Sequence, residues 1–290
     1  MNALVINKNK FTSLQKYVLE KGVLSTECNL YMWYTNSSKK ILKIYFIDEG
    51  LYFGNKLLTI NTLIDNKEHI NIDELILPEK LVIVNNKVVG FSMPFIDNIN
   101  LKTILSDKSV PILEKIDYLK QVGQILEKIQ RTTVHDKDFY LGDVHEANFL
   151  FDLKKKRICT VDLDSCKIAN NKPFPIKYLS TNPNIKDMEY KYPKDDNIFH
   201  IPNADSEWMC YIFMILNTIS NGEIHKFSAS EYYVYLQYLR DLGVGNELLD
   251  CFYKIYTGSS NTSPCELLDQ IPENIARAHH KVFKMVTQKR

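Results

Sequence analysis

Two short stretches hold most of the chemistry this sequence can offer. Gly142-Asp143-Val144-His145-Glu146-Ala147-Asn148-Phe149-Leu150 presents an acid, an amide five residues later, and then an apolar run. Val161-Asp162-Leu163-Asp164-Ser165 follows a second apolar run, Ile158-Cys159-Thr160-Val161, and brings further acids to its end. The polar stretch Asp152 to Arg157 reads as a turn, so the runs are expected to pair as a hairpin with Asp143, Asn148 and Asp162 at one mouth. Such a set suits Mg-nucleotide chemistry. Mg²⁺ prefers hard oxygen ligands and is usually bound by one or two carboxylates plus substrate phosphates. A further acid then accepts the proton of an attacking hydroxyl. Any one of these acids alone reads as a solvated turn residue; their combination favours a site.

The pattern G-D-x-H-x-x-N followed by x-D-x-D resembles the catalytic loop and metal-binding strand end of the protein-kinase-like superfamily. It is similar above all to the branch that writes G-D-L-H-x-x-N, which includes aminoglycoside and choline kinases and atypical protein kinases. The resemblance implies Asp143 as catalytic base and Asn148 and Asp162 as Mg²⁺ ligands, with Asp162 equivalent to the Asp of D-F-G. Asp164 stands where the Gly of that motif would be and takes secondary weight. Lys43, set amid Ile41-Leu42-Lys43-Ile44-Tyr45-Phe46, resembles the V-A-I-K lysine that contacts the α- and β-phosphates. By itself it reads equally as a lysine snorkelling from a half-buried strand. Pro94-Phe95-Ile96-Asp97 takes the place of the linker between lobes, so the resemblance implies a nucleotide edge along Met93, Phe95 and Ile96. ATP is thus expected against Lys43, Met93, Phe95, Ile96 and Asn148. His145 reads as a phosphate contact or a loop-ordering donor, with ordering favoured. Asp205 resembles the Asp that opens helix F and braces the catalytic loop; it also reads as a simple N-cap.

The sequence departs from the family pattern in several places. No G-x-G-x-x-G precedes Lys43, and Gly22 is the only glycine between Met1 and Gly50, so any phosphate cover falls on Gly22 to Asn29. The helical stretch 54–66 contains no Glu to pair with Lys43. Leu141 replaces the His of H-R-D, and no A-P-E follows the Pro-broken segment 166–203. Two readings follow: an active kinase, or a pseudokinase that binds nucleotide or serves as a scaffold. Retention of the base, the amide and the metal Asp together favours activity. Transfer of AMP is a third possibility that the sequence neither supports nor excludes. The acceptor is a hydroxyl of a protein or a small molecule; the long segment 166–203 favours protein.

Composition narrows the class further. At 290 residues, with 45% hydrophobic and 24% charged residues, the chain reads as an ordinary soluble globular protein. A net charge of +1 gives no electrostatic case for nucleic acid or an acidic membrane surface. The run Trp208 to Leu216 is too short to span a bilayer and suits a buried helix. Met1 to Lys10 has no apolar core of the signal-peptide kind. Six cysteines lie without C-x-x-C pairs, so neither a zinc site nor a disulfide framework is indicated, and a cytoplasmic setting is the simplest reading.

The remaining elements fall in order around the motifs. A short helix is expected over 11–21, then hairpins over 30–46 and 81–93, the second turning at Asn85-Asn86. Pro111 opens a long amphipathic helix with Ile112, Leu113, Ile116, Leu119, Val122, Ile125, Leu126 and Ile129 at spacings of 3, 4 and 7. Further amphipathic helices are expected over 229–256 and 264–286. The expected fold is α+β and two-lobed, protein-kinase-like. A β-rich nucleotide-covering lobe spans 1–95 and a helical lobe 96–290, with the catalytic loop at 141–150.

Overall fold

The computed structural model describes residues 3–18, 27–46, 50–171 and 202–275. Strands β1 (Ala3–Ile6), β2 (Cys28–Tyr34), β3 (Lys39–Tyr45), β4 (Lys80–Val84) and β5 (Lys87–Pro94) form one sheet in the order β1-β4-β5-β3-β2. The β2–β3 and β4–β5 pairs are antiparallel, and Asn85 and Asn86 turn the latter with φ of 49° and 60°, as their type suggests. β1 was legible in no local pattern; it adds parallel to β4 at the sheet edge. The helix expected over 11–21 is instead a short one, α1 (Lys8–Thr12). Beyond it the chain lies beside β2, where Tyr17 N donates to Leu30 O (2.8 Å) and Met32 N to Gln15 O (2.9 Å). Those cross-chain bonds satisfy the backbone groups that a longer helix would have used.

Side-chain alternation along β3 divides the sheet into two functional faces. Leu42 and Ile44 point into a cluster with Ile6, Trp33, Val82, Val84 and Val89, covered by Phe11 and Leu14. Tyr45, with Cys28, Leu81 and Phe91, packs on the other face against Ile60, Leu57 and Ile64 of helix α2 (Gly50–Asp65). Lys43 shares the Tyr45 face by the same period. At its partner strand the sheet is unusually tight. A Cβ on Gly90 would stand 1.9 Å from Lys43 O, beside an irregularity in the β4–β5 register at Val82/Ile83. Gly90→Ala is therefore expected to push β3 away from β5 and cost about 3 kcal/mol, the upper range for overpacking. Urea unfolding checks this: a midpoint equal to wild type would mean that the strands do not approach as described.

The rest of the chain is mainly helical. Helix α3 (Lys67–Ile70) precedes β4; after β5 come β6 (Asn98–Asn100), α4 (Leu101–Ser106) and α5 (Ile112–Gln130). A small ribbon of β7 (Thr133–Val134) and β8 (Lys137–Asp138) leads into the Asp143 loop. Then β9 (Phe149–Asp152) and β10 (Arg157–Thr160) pair antiparallel, as expected, with β6 completing a second sheet in the order β10-β9-β6. Helix α6 (Ala204–Ser220) is buried on all sides from Ser206 to Leu216, which marks it as the centre of this region. Tyr211 on α6 donates its hydroxyl to Leu119 O of α5 (2.7 Å), locking the two helices together. The stretch 229–256 is two helices, α7 (Ala229–Asp241) and α8 (Asn246–Thr257), because Gly243 turns between them at φ +90°. Of 264–286, residues Cys265–Gln270 form 3₁₀ turns and those beyond 275 lie outside the described residues. All six cysteines are free thiols, and among the described residues no helix is long and apolar enough to cross a membrane.

Candidate active site

The hairpin of β9 and β10 sets the spacing of the two motifs. Asn148 O accepts from Val161 N (3.0 Å) and from the Thr160 hydroxyl (3.0 Å), so the amide of the first motif and the acid of the second are tied together. β10 is also held from its other side: Thr160 N donates to Glu74 O (2.9 Å) and Ile76 N to Thr160 O (3.0 Å). Asp162 follows in a left-handed conformation, φ 65° and ψ 36°, which ends the strand and turns its carboxylate to a position where 41% of it is exposed.

In the loop itself, Asn148 Nδ2 donates to Asp143 O (2.9 Å), closing the five-residue span. His145 caps the short turn that follows: its Nδ1 accepts from Ala147 N (3.2 Å) while Nε2 stands 3.2 Å from Asp143 Oδ2. That pattern puts the ring proton on Nε2, where it donates to the carboxylate. The ordering role read from the sequence for His145 matches this geometry.

What braces the loop differs from the expectation. Asp205 neither caps α6 nor reaches the loop. Asn203 is the cap: its side chain accepts from Ser206 N (2.8 Å) and the Ser206 hydroxyl accepts from Asn203 N (2.9 Å). Glu207, one turn in and fully buried, accepts from the backbone N–H groups of Leu141 and Gly142 and from Gln130 Nε2 (2.9 Å). The shift has a simple cause, since the cap's position in sequence decides which residue of the first turn faces the loop. Burial pushes the Glu207 carboxyl up to about 7, against the pull of the bonds from Gln130, Gly142 and Leu141.

The sign of that shift makes a prediction. An acid whose folded pKa lies above its unfolded value holds more protons folded than unfolded, so stability falls as pH rises between the two, here from about 4.5 to about 7. The window is worth up to ~3 kcal/mol at ~1.4 kcal/mol per unit. Glu207→Gln, which keeps an acceptor for the two amides, is expected to remove this slope in chemical unfolding measured from pH 4.5 to 7.5. An unchanged slope in the variant would refute the assignment.

Beside the loop lies a cluster of buried charge. Lys43, 5% exposed, bonds the Asp162 carboxylate and both oxygens of Asp164 (2.9 and 3.0 Å). Asp164 is completely buried, accepts from the Tyr45 hydroxyl, and lies 3.3 Å from Lys56 Nζ. Lys56, on α2 and itself buried, also pairs with Glu27. Helix α2 is pinned over this cluster by Asn171, whose amide donates to Thr59 Oγ1 and to Cys166 O, both at 2.6 Å. Burial alone would raise Asp164, but Lys43 and Lys56 hold it well below the usual carboxylate range. Burial would lower Lys43, and Asp162 and Asp164 outweigh it and hold the ammonium well above its usual value.

An apolar cleft opens next to these groups. Leu30, Ile41 and Met93 from the first sheet, Phe95 and Ile96 from the chain after β5, Leu150 from the hairpin and Ala147 and Val161 at its two ends line it. Ile41 is two residues from Lys43 on the same strand face, Ala147 precedes Asn148 and Val161 precedes Asp162. Three lining residues are thus near neighbours in sequence of polar residues of the candidate site. Two backbone groups of the Phe95–Ile96 segment are already engaged: Phe95 N donates to Lys39 O (3.2 Å) and Ile96 O accepts from Asn98 Nδ2 (2.7 Å). Among the described residues no group of three His, Cys, Asp or Glu side chains is placed to hold a metal; a site of one amide and one carboxylate leaves the other ligands to phosphate and water.

Comparison with known proteins fits this architecture. No protein-family model matches the sequence, and no curated protein does. Among solved structures, the PknI kinase domain of Mycobacterium tuberculosis is similar, with a TM-score of 0.56 at 12% identity over 89% of this chain and 93% of that one. The chain has a protein-kinase-like fold. In such a fold the lysine of the third strand is expected to meet a glutamate of the helix packed above it. Here that helix, α2, presents Lys56 instead, and the carboxylate comes from Asp164. The secondary weight given to Asp164 is thus corrected: it is the most enclosed acid of the cluster. The signal was present as a lone Lys56 in an apolar helical stretch and a second acid two residues after Asp162, but nothing local paired them.

Proposed function

We propose that this protein is an ATP- and Mg²⁺-dependent phosphotransferase whose acceptor is a protein hydroxyl. One observation carries the reading: an apolar cleft is lined by Ile41, Ala147 and Val161, the near neighbours in sequence of Lys43, Asn148 and Asp162, while Lys43 bonds Asp162 and Asn148 bonds the Asp143 backbone. The cleft is shaped by Leu30, Ile41, Met93, Phe95 and Ile96 for a flat base, and the polar end for phosphates.

The donor set fits a hard divalent ion. Asn148 commits its Nδ2 to the loop, which turns Oδ1 to the role of ligand, and the Asp162 carboxylate is part-exposed at the cleft. When bound, Mg²⁺ supplies neutralisation of the charge on the phosphates. Lys43 steadies the α- and β-phosphates by charge. Asp143, ordered by the His145 ring, orients the acceptor hydroxyl and takes its proton as the new oxygen–phosphorus bond forms and the bond from the γ-phosphorus to the ADP oxygen breaks. Positioning and charge do most of the work, as phosphoryl transfer needs little covalent help.

The protein acceptor rests on the Pro-broken segment 166–203, most of which lies outside the described residues. A pseudokinase reading draws on one observation, the engagement of Asp162 by Lys43. ADP release from Mg-ATP separates the readings, measured with a generic protein acceptor and with a panel of amino sugars and amino alcohols. Turnover with the protein and little with the panel is expected. Turnover only with a small molecule overturns the acceptor; ATP that binds and is never consumed favours the pseudokinase.

A further inference from the structure

Asp164 holds two buried ammonium groups on one carboxylate, and the two acids that Lys43 touches differ in their freedom. Asp164 is fully enclosed, fixed by Lys43, Lys56 and the Tyr45 hydroxyl, whereas the Asp162 side chain is 41% exposed. A lysine with a single exposed partner would follow that partner or swing into solvent when the carboxylate turned to another ligand. With the second bond at 2.9 Å to a group that has nowhere to go, Lys43 stays in place. The charge count agrees. Counting Glu27, which pairs with Lys56, the group of Lys43, Lys56, Asp164 and Glu27 is neutral once Asp162 turns away, so no net negative charge opposes a phosphate oxygen at Lys43.

We propose that Asp164 is the positioning residue that fixes Lys43 for the phosphates of a nucleotide, with Lys56 and Tyr45 holding Asp164 in turn, while Asp162 is left to turn from Lys43 to the metal. This rests on the nucleotide reading of the cleft. It assigns to α2 a role opposite in charge to the expected one: the helix supplies the cation that secures the carboxylate, and the turn after β10 supplies the carboxylate.

The test compares ADP with adenosine by calorimetry, since both occupy the apolar cleft and only ADP reaches Lys43. Asp164→Asn alone strands two buried cations, so Lys56→Met is combined with it to keep the buried charge in balance. The double variant is expected to bind ADP about tenfold or more weakly, the scale of one lost charged contact, with adenosine affinity unchanged. Asp164→Asn with Lys56→Glu returns a carboxylate from α2 and is expected to recover most of the ADP affinity. Equal loss of both ligands overturns the proposal, since Asp164 would then be supporting the fold and not Lys43. Unchanged ADP affinity in Asp164→Asn/Lys56→Met overturns it as well. Wild-type protein that binds adenosine but not ADP, or neither, removes the nucleotide reading beneath it, a failure distinct from the other two.

Discussion

Asp143→Ala and Asp162→Asn are each expected to lose about 10²–10⁴-fold in kcat, the range for removing a positioned proton acceptor or a group that organises charge at the transition state. The two should fail differently. Asp143 lies on a loop ordered by His145 and Asn148 through bonds at 3.2 and 2.9 Å, and its loss leaves the cleft and the strand-end acids intact. Nucleotide affinity should therefore survive in Asp143→Ala. Asp162→Asn keeps the shape but removes the single charged ligand that the Asn148 and Asp162 pair offers a divalent ion, so its ADP affinity should stop responding to Mg²⁺. Steady-state kinetics beside ADP titrations with and without Mg²⁺ read both effects. A variant of either kind with near-normal turnover would remove that residue from the mechanism.

Asp164→Asn alone should have the largest effect on stability. Lys43 and Lys56 are 5% and 4% exposed, and the variant would leave both with less negative charge than they need. Breaking a buried ion pair from one side costs about 3–5 kcal/mol, because the remaining charge keeps its desolvation penalty. Domains are stable by only ~5–15 kcal/mol, so the single variant approaches the limit of folding. Removing a cation with the acid should restore much of the loss, which makes Asp164→Asn/Lys56→Met more stable than Asp164→Asn. That ordering is the useful part, as an apolar replacement of a buried charge is often close to neutral. If the double variant is the less stable of the two by urea unfolding, the ion cluster is not the source of the effect.

The parts of this site that sequence reveals are those in which neighbours in sequence are also neighbours in space. Asp143 and Asn148 sit five residues apart on one loop, and Asp162 follows a turn of a short hairpin, so the motif and its geometry are nearly the same information. Lys43 was likewise legible as the one lysine set amid Ile41-Leu42-Lys43-Ile44-Tyr45-Phe46. Helix α6 announced itself by an apolar run with no polar side. What stayed hidden involves long separations. Lys56 and Asp164 lie 108 positions apart, and Glu207 and Leu141 lie 66 apart; no periodicity links such pairs. Looking for a glutamate on α2 missed the site for a physical reason: the requirement is for a carboxylate near Lys43, and the backbone that carries it is free to vary. The exchange of Asp205 for Glu207 has the same character, since both acids stand in the first turn and only the cap at Asn203 decides which one faces Leu141.

The account stands or falls on transfer of a phosphate from nucleotide through Asp143. Intact-mass spectrometry of the chain and a generic protein acceptor after incubation with Mg-ATP, beside Asp143→Ala, measures it directly. Mass gained in single phosphate steps by wild type, and by neither species with the variant, is the expected result. An AMP-sized gain, or phosphate steps that persist in Asp143→Ala, would contradict it.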